Sequence, residues 1–320
     1  MGDELSGRRE QEKPPLTDGF GRRISYLRVS VTDRCNLRCW YCMPGQASWM
    51  PKNDVLSYEE LQRVISAAAG IGISKIRLTG GEPLLRSGLC SFVRRVVETP
   101  GVREVTLTTN GVLLPRYATE LKASGLERVN ISIDTMDARQ YEIITRGGCL
   151  GDVIAGIDAA IAAGFQRVKL NAVLRRDADM DDIRSLVEFS KSKGAVMRFI
   201  ELMPLLRSES RITECWDSNF VSAQEMKARL TGINLDHVEF ISPVSEPFCD
   251  TCNRLRLTPD GMLLACLCRG GHVNAREILR SGGGDEELAQ ALERCASLKP
   301  EPWRAWGETT RLERISAIGG

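Results

Sequence analysis

Cys35, Cys39 and Cys42 fall within one short stretch, DRCNLRCWYC, at the spacing C-x3-C-x2-C. Thiolates are soft ligands for zinc or iron, but a structural zinc site is closed by four ligands. Three cysteines in one loop fit a [4Fe-4S] cluster better, because thiolate is its standard ligand and the fourth iron then stays open. An open iron can bind and reduce something. A second set, Cys249, Cys252 and Cys266, has the spacing C-x2-C-x13-C. It reads either as a zinc knuckle or as three ligands of a second cluster, four if Cys268 joins. The total of 11 cysteines in 320 residues is odd, which suits thiols serving metals in a reducing compartment, the cytoplasm, better than a disulfide framework. Cys90, Cys149, Cys215 and Cys295 read as packed or surface thiols.

The elements that must position these groups show in the hydrophobic pattern. β-type runs at 24-31, 75-79, 104-109, 127-133, 167-173 and 196-202 alternate with helical patterns, as βα units in a parallel sheet do. Ser57 and Glu60 form a capping box before the stripe Leu61, Val64, Ile65 and Ala68, with Gly70 at the exit. Another helix follows Asp181 and carries Ile183, Leu186 and Val187 on one face. Successive strand side chains point to opposite faces. In five runs one face is apolar while the other carries Arg28, Arg77, Thr106 and Thr108, Asn130 and Ser132, and Lys169 and Asn171. Helices covering the apolar face leave a polar face lining something wet. The expected fold is therefore α/β, an incomplete (β/α)6 TIM-like barrel, two strands short of eight. A helix-backed sheet with one solvated face is the alternative. After residue 204 the pattern changes. RLRLTPDGMLLAC at 254-266 reads as a hairpin turning at Pro259-Asp260-Gly261, followed by helical patterns at 274-280 and 285-297. The expected organisation is a loose arm over 1-22, a partial barrel over 23-203, and a C-terminal cluster-binding extension over 204-320 that closes the open side.

Lysine and arginine total 43 against 42 for aspartate and glutamate. No global field points to nucleic acid or a membrane surface, so any anion must be held by local clusters. The first 23 residues lack an apolar core, and no apolar run reaches the roughly 18 residues of a membrane span.

TGGEP at Thr79 to Pro83, with an aromatic residue before the last cysteine of the first motif, resembles the radical S-adenosylmethionine superfamily. There the methionine moiety chelates the open iron and reductive cleavage yields a 5'-deoxyadenosyl radical. The strings LRVSVTDRCNLRCWYCMP, KIRLTGGEPLLR, TLTTNG, VKLNAV, RFIELMP and CDTCNRLRLTPDG resemble the GTP 3',8-cyclase family of molybdenum cofactor biosynthesis, from about Tyr26 to Gly320. The resemblance implies that Cys35, Cys39 and Cys42 hold one [4Fe-4S] cluster and that Tyr41, Gly81, Ser132 and Met203 contact S-adenosylmethionine. It implies a second [4Fe-4S] cluster on Cys249, Cys252 and Cys266 whose open iron meets guanine. Arg28, Arg77, Thr108, Lys169, Arg254, Leu255 and Arg256 would hold GTP. The implied reaction abstracts hydrogen from ribose C3', joins C3' to guanine C8 and reduces the product to 3',8-cyclo-7,8-dihydro-GTP. Cyclic pyranopterin monophosphate synthase would take that product, an external donor would supply electrons, and a homodimer is the family expectation. The terminal Ile318-Gly319-Gly320 would reach the active site. Glu201, sharing parity with Met203, reads as a ribose or cofactor contact or as a structural ion pair. A radical S-adenosylmethionine peptide modifier and a zinc-stabilised binding module are the competing readings.

Overall fold

The computed structural model of the chain describes residues 15–43, 48–204 and 218–302. Residues 1–14 of the expected arm, Cys215 and the Ile318-Gly319-Gly320 tail lie outside the described residues. Six parallel strands form the body: β1 (Tyr26–Ser30), β2 (Lys75–Thr79), β3 (Glu104–Thr109), β4 (Arg128–Ser132), β5 (Lys169–Leu174) and β6 (Val196–Glu201). Between them run α1 (Tyr58–Gly70), α2 (Leu89–Val97), α3 (Leu114–Ala123), α4 (Ala138–Thr145) and α5 (Leu150–Ala162), with α6 (Met180–Ser192) ahead of β6. The capping box forms as expected: the Ser57 hydroxyl accepts from the Glu60 amide while the Glu60 carboxylate accepts from the Ser57 amide.

Leu27, Val29, Ile76, Leu78, Leu107, Val129, Ile131, Leu170, Met197 and Phe199 are fully buried on one face, packed with Leu61, Val64, Ile65 and Phe92 of the helices. Burying one such side chain stabilises the fold by roughly 1.5–3 kcal/mol, so this face fixes the parity of every strand. The other face is free to be polar, and the sheet curls around it. The Arg77 pKa is lowered by burial, with Tyr26 opposing, and by the charge of Arg198. The curled sheet is an incomplete TIM-like barrel.

The sheet is larger than the sequence suggests. Its order is β10-β9-β8-β1-β2-β3-β4-β5-β6-β7, where β7 (Val238–Ile241) pairs parallel with β6 and β8 (Arg254–Leu257) parallel with β1. β9 (Met262–Cys266) and β10 (Gly270–Asn274) continue antiparallel from β8. The C-terminal region thus covers both edges of the six-strand body, where backbone donors and acceptors would otherwise lie bare. The hairpin turns where the sequence placed it, with Gly261 at φ +89. No helix among the described residues is long and apolar enough to cross a membrane.

Residues 15–22, read as part of a loose arm, are tied down at Leu16, Asp18 and Arg22 while most of the others stay exposed. Ile24 N donates to the Leu16 carbonyl, and Asp18 and Arg22 form a buried ion pair. Arg22 also donates to the carbonyls of Cys249 and Pro300 at 2.9 and 2.7 Å. A polar composition conceals this because the carbonyl partners of Arg22 are more than 200 positions away.

Glu201 resolves into neither of its expected roles. It is 1% exposed and accepts from the amides of Ala223, Val244 and Ser245 at 2.8, 3.0 and 2.9 Å and from the Ser245 hydroxyl. It therefore pins the segment following β6 to the end of that strand. Glu201→Ala removes the shared acceptor of four donors, of which the Ala223 amide is buried, and is expected to lower unfolding free energy by on the order of 2 kcal/mol, read from denaturant melts.

Candidate functional site

The first cysteine loop leaves β1 at the carboxyl end of the barrel strands and is tied down locally. Arg38 N donates to the Thr145 carbonyl and Trp40 N to the Ile144 carbonyl, fastening the loop to the end of α4. Buried Leu37 seats beneath it, and the Cys42 and Met43 amides close on the Cys39 carbonyl. Two donors face Cys35 Sγ: Leu37 N at 3.4 Å and Asn110 Nδ2 at 3.8 Å.

The TGGEP turn lies against this loop at backbone distance. Gly81 N donates to the Thr32 carbonyl and Glu82 N to the Arg34 carbonyl, at 2.8 and 2.7 Å. A Cβ at Gly80 would sit 2.6 Å from the Thr32 oxygen, and one at Gly81 would sit 2.3 Å from the Arg34 oxygen. Glycine is required because the approach is to carbonyls that cannot move aside. Glu82, fully buried, accepts from Leu84 N, Thr109 Oγ1 and Asn110 N at 3.0, 2.8 and 2.7 Å. Asn110 in turn donates to Asn36. One carboxylate thereby joins the turns after β2 and β3 and, through its own amide, the cysteine loop. Burial outweighs these donors and pushes the Glu82 pKa up to about 7.

Tyr41 donates to Asp134 Oδ2 at 2.6 Å, and Asp134 Oδ1 accepts from Val173 N, linking the loop to β4 and β5. Burial, followed by the charges of Asp134, Cys42 and Cys35, drives the Cys39 pKa well up. A bound cation would reverse that balance. Among the described residues no three His, Cys, Asp or Glu side chains are grouped to hold one metal ion. A tetrahedral zinc would need its sulfurs about 3.8 Å apart, whereas a cubane spreads its ligands over separate corners. The all-thiolate donor set and the N–H groups aimed at Cys35 Sγ fit an iron–sulfur cluster.

The second cysteine set stands at the opposite end. Cys249 and Cys252 bracket a single helical turn that feeds the start of β8, and Cys266 ends the antiparallel β9. The first loop follows the end of β1, while these residues precede β8, which runs parallel to β1 in the register Tyr26 to Arg254. One strand length, on the order of 15 Å, separates the two sets. Lys299, 3% exposed, donates to Cys252 Sγ at 3.5 Å and to the carbonyls of Arg254 and Ala265 at 2.9 and 3.0 Å. Cys268 donates its amide to Cys266 Sγ at 3.4 Å. Its thiol bonds there too, which lowers the Cys266 pKa and raises its own.

Between the two ends lies the polar face. Register places Arg256, Arg28 and Arg77 side by side, with Arg254 beside Tyr26 and Thr108 beside Asn130. Arg77 donates to Thr106 Oγ1 at 3.1 Å and, with the Asn130 amide turned to offer its oxygen, to Asn130 at 2.9 and 3.2 Å. The Tyr26 ring lies within 6.0 Å of Lys75, Arg77 and Arg254, a cation–π arrangement. The cations crowd one another: burial and then Arg256 drive the Arg28 pKa down, while burial and then Arg254 lower Arg256 to about 10. Two carboxylates enter this face. Glu104 pairs with Lys75 and Arg128, and Glu239 of β7 with Lys169 and Arg198.

Tyr41, Gly81, Ser132 and Met203 all fall in or beside the turns at the carboxyl ends of β1, β2, β4 and β6. Leu255 requires a correction, since it is 0% exposed in the apolar core on the face opposite its arginine neighbours. Its side chain cannot meet a ligand in the lumen. Sequence reasoning missed Lys75, Glu82, Glu104, Asn110, Arg128, Asp134, Arg198, Glu239 and Lys299. The strand parity that picked out Arg28 also selects Arg198, set between Met197 and Phe199.

A family model described as Radical SAM superfamily matches residues 29–190, and one described as Molybdenum Cofactor Synthesis C matches residues 229–305. A protein named GTP 3',8-cyclase from Heliobacterium modesticaldum is 42% identical, the alignment covering 95% of this chain and 100% of that protein. One of the same name from Pseudomonas putida is 41% identical, covering 97% and 100%. Among solved structures, Streptococcus suis SuiB bound to precursor peptide SuiA superposes with a TM-score of 0.61 at 15% identity, over 76% of this chain and 60% of that one. Native anSMEcpe with bound AdoMet superposes with a TM-score of 0.57 at 15% identity, over 84% and 81%. At those identities the structures speak for the fold alone.

The Glu82 carboxyl binds its proton more tightly when folded than at its ordinary value of 4.5. Its contribution to stability is therefore full below pH 4.5 and lost as pH rises through about 7. Against Glu82→Gln, which does not titrate, the wild-type advantage should shrink by about 3 kcal/mol between pH 4.5 and 7.5. Denaturant melts across that range measure it, and a flat difference would contradict the assignment.

Proposed function

This chain belongs to the GTP 3',8-cyclase family within the radical SAM superfamily, and on that premise we propose that its lumen holds GTP between two [4Fe-4S] clusters. It is a radical SAM lyase that converts GTP to 3',8-cyclo-7,8-dihydro-GTP, the first step of molybdenum cofactor biosynthesis. Its cofactors are S-adenosylmethionine and an iron–sulfur cluster. When bound, that cluster would supply the one-electron reductive cleavage of S-adenosylmethionine that initiates radical chemistry on GTP.

Cys35, Cys39 and Cys42 hold this cluster, and Tyr41, Gly81, Ser132 and Met203 surround the cofactor. In our reading Cys249, Cys252 and Cys266 would hold the second cluster, which would lie at the guanine end of the nucleotide. Arg28, Arg77, Thr108, Lys169, Arg254 and Arg256 bind the nucleotide, joined by Arg198 and Lys75. What carries the proposal is the placement of two cysteine sets at opposite ends of β1 with a row of arginines between them. A nucleoside triphosphate is long enough to span that row, and guanidinium forks match phosphate oxygens bidentately. The protein's own part is to bind and orient: Thr106 and Asn130 aim Arg77, and Lys299 fixes Cys252 relative to β8 and β9. An external donor supplies electrons in the reducing cytoplasm, and cyclic pyranopterin monophosphate synthase takes the product.

Anaerobic reconstitution is expected to give about eight irons per chain, falling to about four in Cys252→Ala. With S-adenosylmethionine, reductant and GTP the loaded protein should form 5'-deoxyadenosine and a cyclised nucleotide. Failure to form either from protein with full iron would sink the reading, and about four irons in the wild type would remove the second cluster. Arg256→Ala should weaken GTP binding by about 10- to 100-fold, the loss of one charge-assisted hydrogen-bonding group. Equilibrium titration without reductant measures that directly.

A further inference from the structure

Lys169 and Arg198 are not bare on the lumenal face. Glu239 takes Lys169 Nζ on Oε1 at 2.6 Å, and Arg198 Nε and Nη2 on Oε2 at 2.9 and 2.6 Å. Glu104 bridges Lys75 and Arg128 in the same manner. The two carboxylates differ in how firmly the fold holds them. The Glu104 side chain is 20% exposed and stands on β3, inside the sheet. The Glu239 side chain is 42% exposed and stands on β7, the outermost strand, paired only with β6. Its partners are less exposed, 18% for Lys169 and 16% for Arg198. A half-exposed carboxylate therefore covers two mostly buried cations from the solvent side.

One negative charge against two positive ones leaves the trio with an excess of +1, so the site still attracts anions. A partly exposed ion pair contributes little net stability, whereas a phosphate oxygen cluster offers more charge and bidentate geometry to the same donors. We propose that Glu239 is a resident counter-ion for the phosphate tail of the substrate. It holds Lys169 and Arg198 in place and gives them up to a triphosphate. Because the incoming group must outcompete a carboxylate, Glu239 also sets a threshold that shorter phosphate chains pass poorly. The inference rests on the reading that GTP fills the lumen, and it adds a determinant of phosphate-chain selectivity.

The test is calorimetric titration of anaerobic, cluster-loaded protein without reductant, so that no turnover occurs. Ligands are GTP, GDP and inorganic tripolyphosphate; proteins are wild type and Glu239→Gln. We expect Glu239→Gln to bind GTP at least fivefold more tightly and GDP to gain more than GTP, so that selectivity narrows. Unchanged or weaker GTP binding would overturn the proposal, since the carboxylate would then only hold the two cations in place. Glu239→Asp keeps the charge but shortens the reach, and should shift affinity in the same direction by a smaller factor; it also serves if the Gln variant folds poorly. If wild type ignores GTP while Glu239→Gln tightens tripolyphosphate binding, the counter-ion role stands and the GTP reading falls. If wild type binds GTP and neither variant tightens either ligand, the counter-ion role falls alone.

Discussion

Cations packed on one face of a curled sheet repel one another, and much of this structure answers that constraint. Two unit charges about 8 Å apart repel by roughly 2 kcal/mol at an effective dielectric of about 20. Arg28, Arg77, Arg254 and Arg256 share one lumen, where burial first and then neighbouring cations, Arg254 among them, lower the pKa of Arg28, Arg77 and Arg256. Such a face endures only because the reverse face is a continuous apolar core. Turning a strand over would bury its arginine among Leu27, Val29, Ile76 and Leu78. Core packing thus determines which side chains can meet a ligand.

Three devices soften the repulsion without cancelling it. The Tyr26 ring offers its negative face to Lys75, Arg77 and Arg254; neutral acceptors on Thr106 and Asn130 take the Arg77 donors; Glu104 and Glu239 each bridge two cations. An anion therefore meets a field that remains positive, in groups already oriented. A chain with nearly equal numbers of basic and acidic residues overall can bind a polyanion because the fold sorts the charges by face.

What was legible in the sequence is what depends on short spacing. The first cysteine loop, the Ser57 and Glu60 cap, the turn at Gly261 and the alternation in β1 to β5 are all set within a few residues. β7 escaped notice because its four residues are all half-buried and show no alternation. Glu239 could not be assigned, since Arg198 and Lys169 lie 41 and 70 positions away. Lys299 escaped likewise, its sulfur partner being 47 positions distant. Leu255 was drawn in by its arginine neighbours, although the parity rule that selected Arg28 excludes it.

The same distinction separates ligands from the groups that set their geometry. Cysteines can be counted along a chain, but the distance between the two sets follows from β8 pairing in parallel with β1 across more than 200 residues. That pairing is itself fastened by Arg22, which joins the Cys249 carbonyl to Pro300, and by Lys299, which joins Cys252 to the strands on either side of the hairpin. Both are buried cations that need compensation: Arg22 has the Asp18 carboxylate beside its two carbonyls, and Lys299 has two carbonyls and a sulfur. Loosening either would free the second cysteine set to move against the arginine row. The span between the ends, as much as the residues at each end, is then set by contacts distant in sequence.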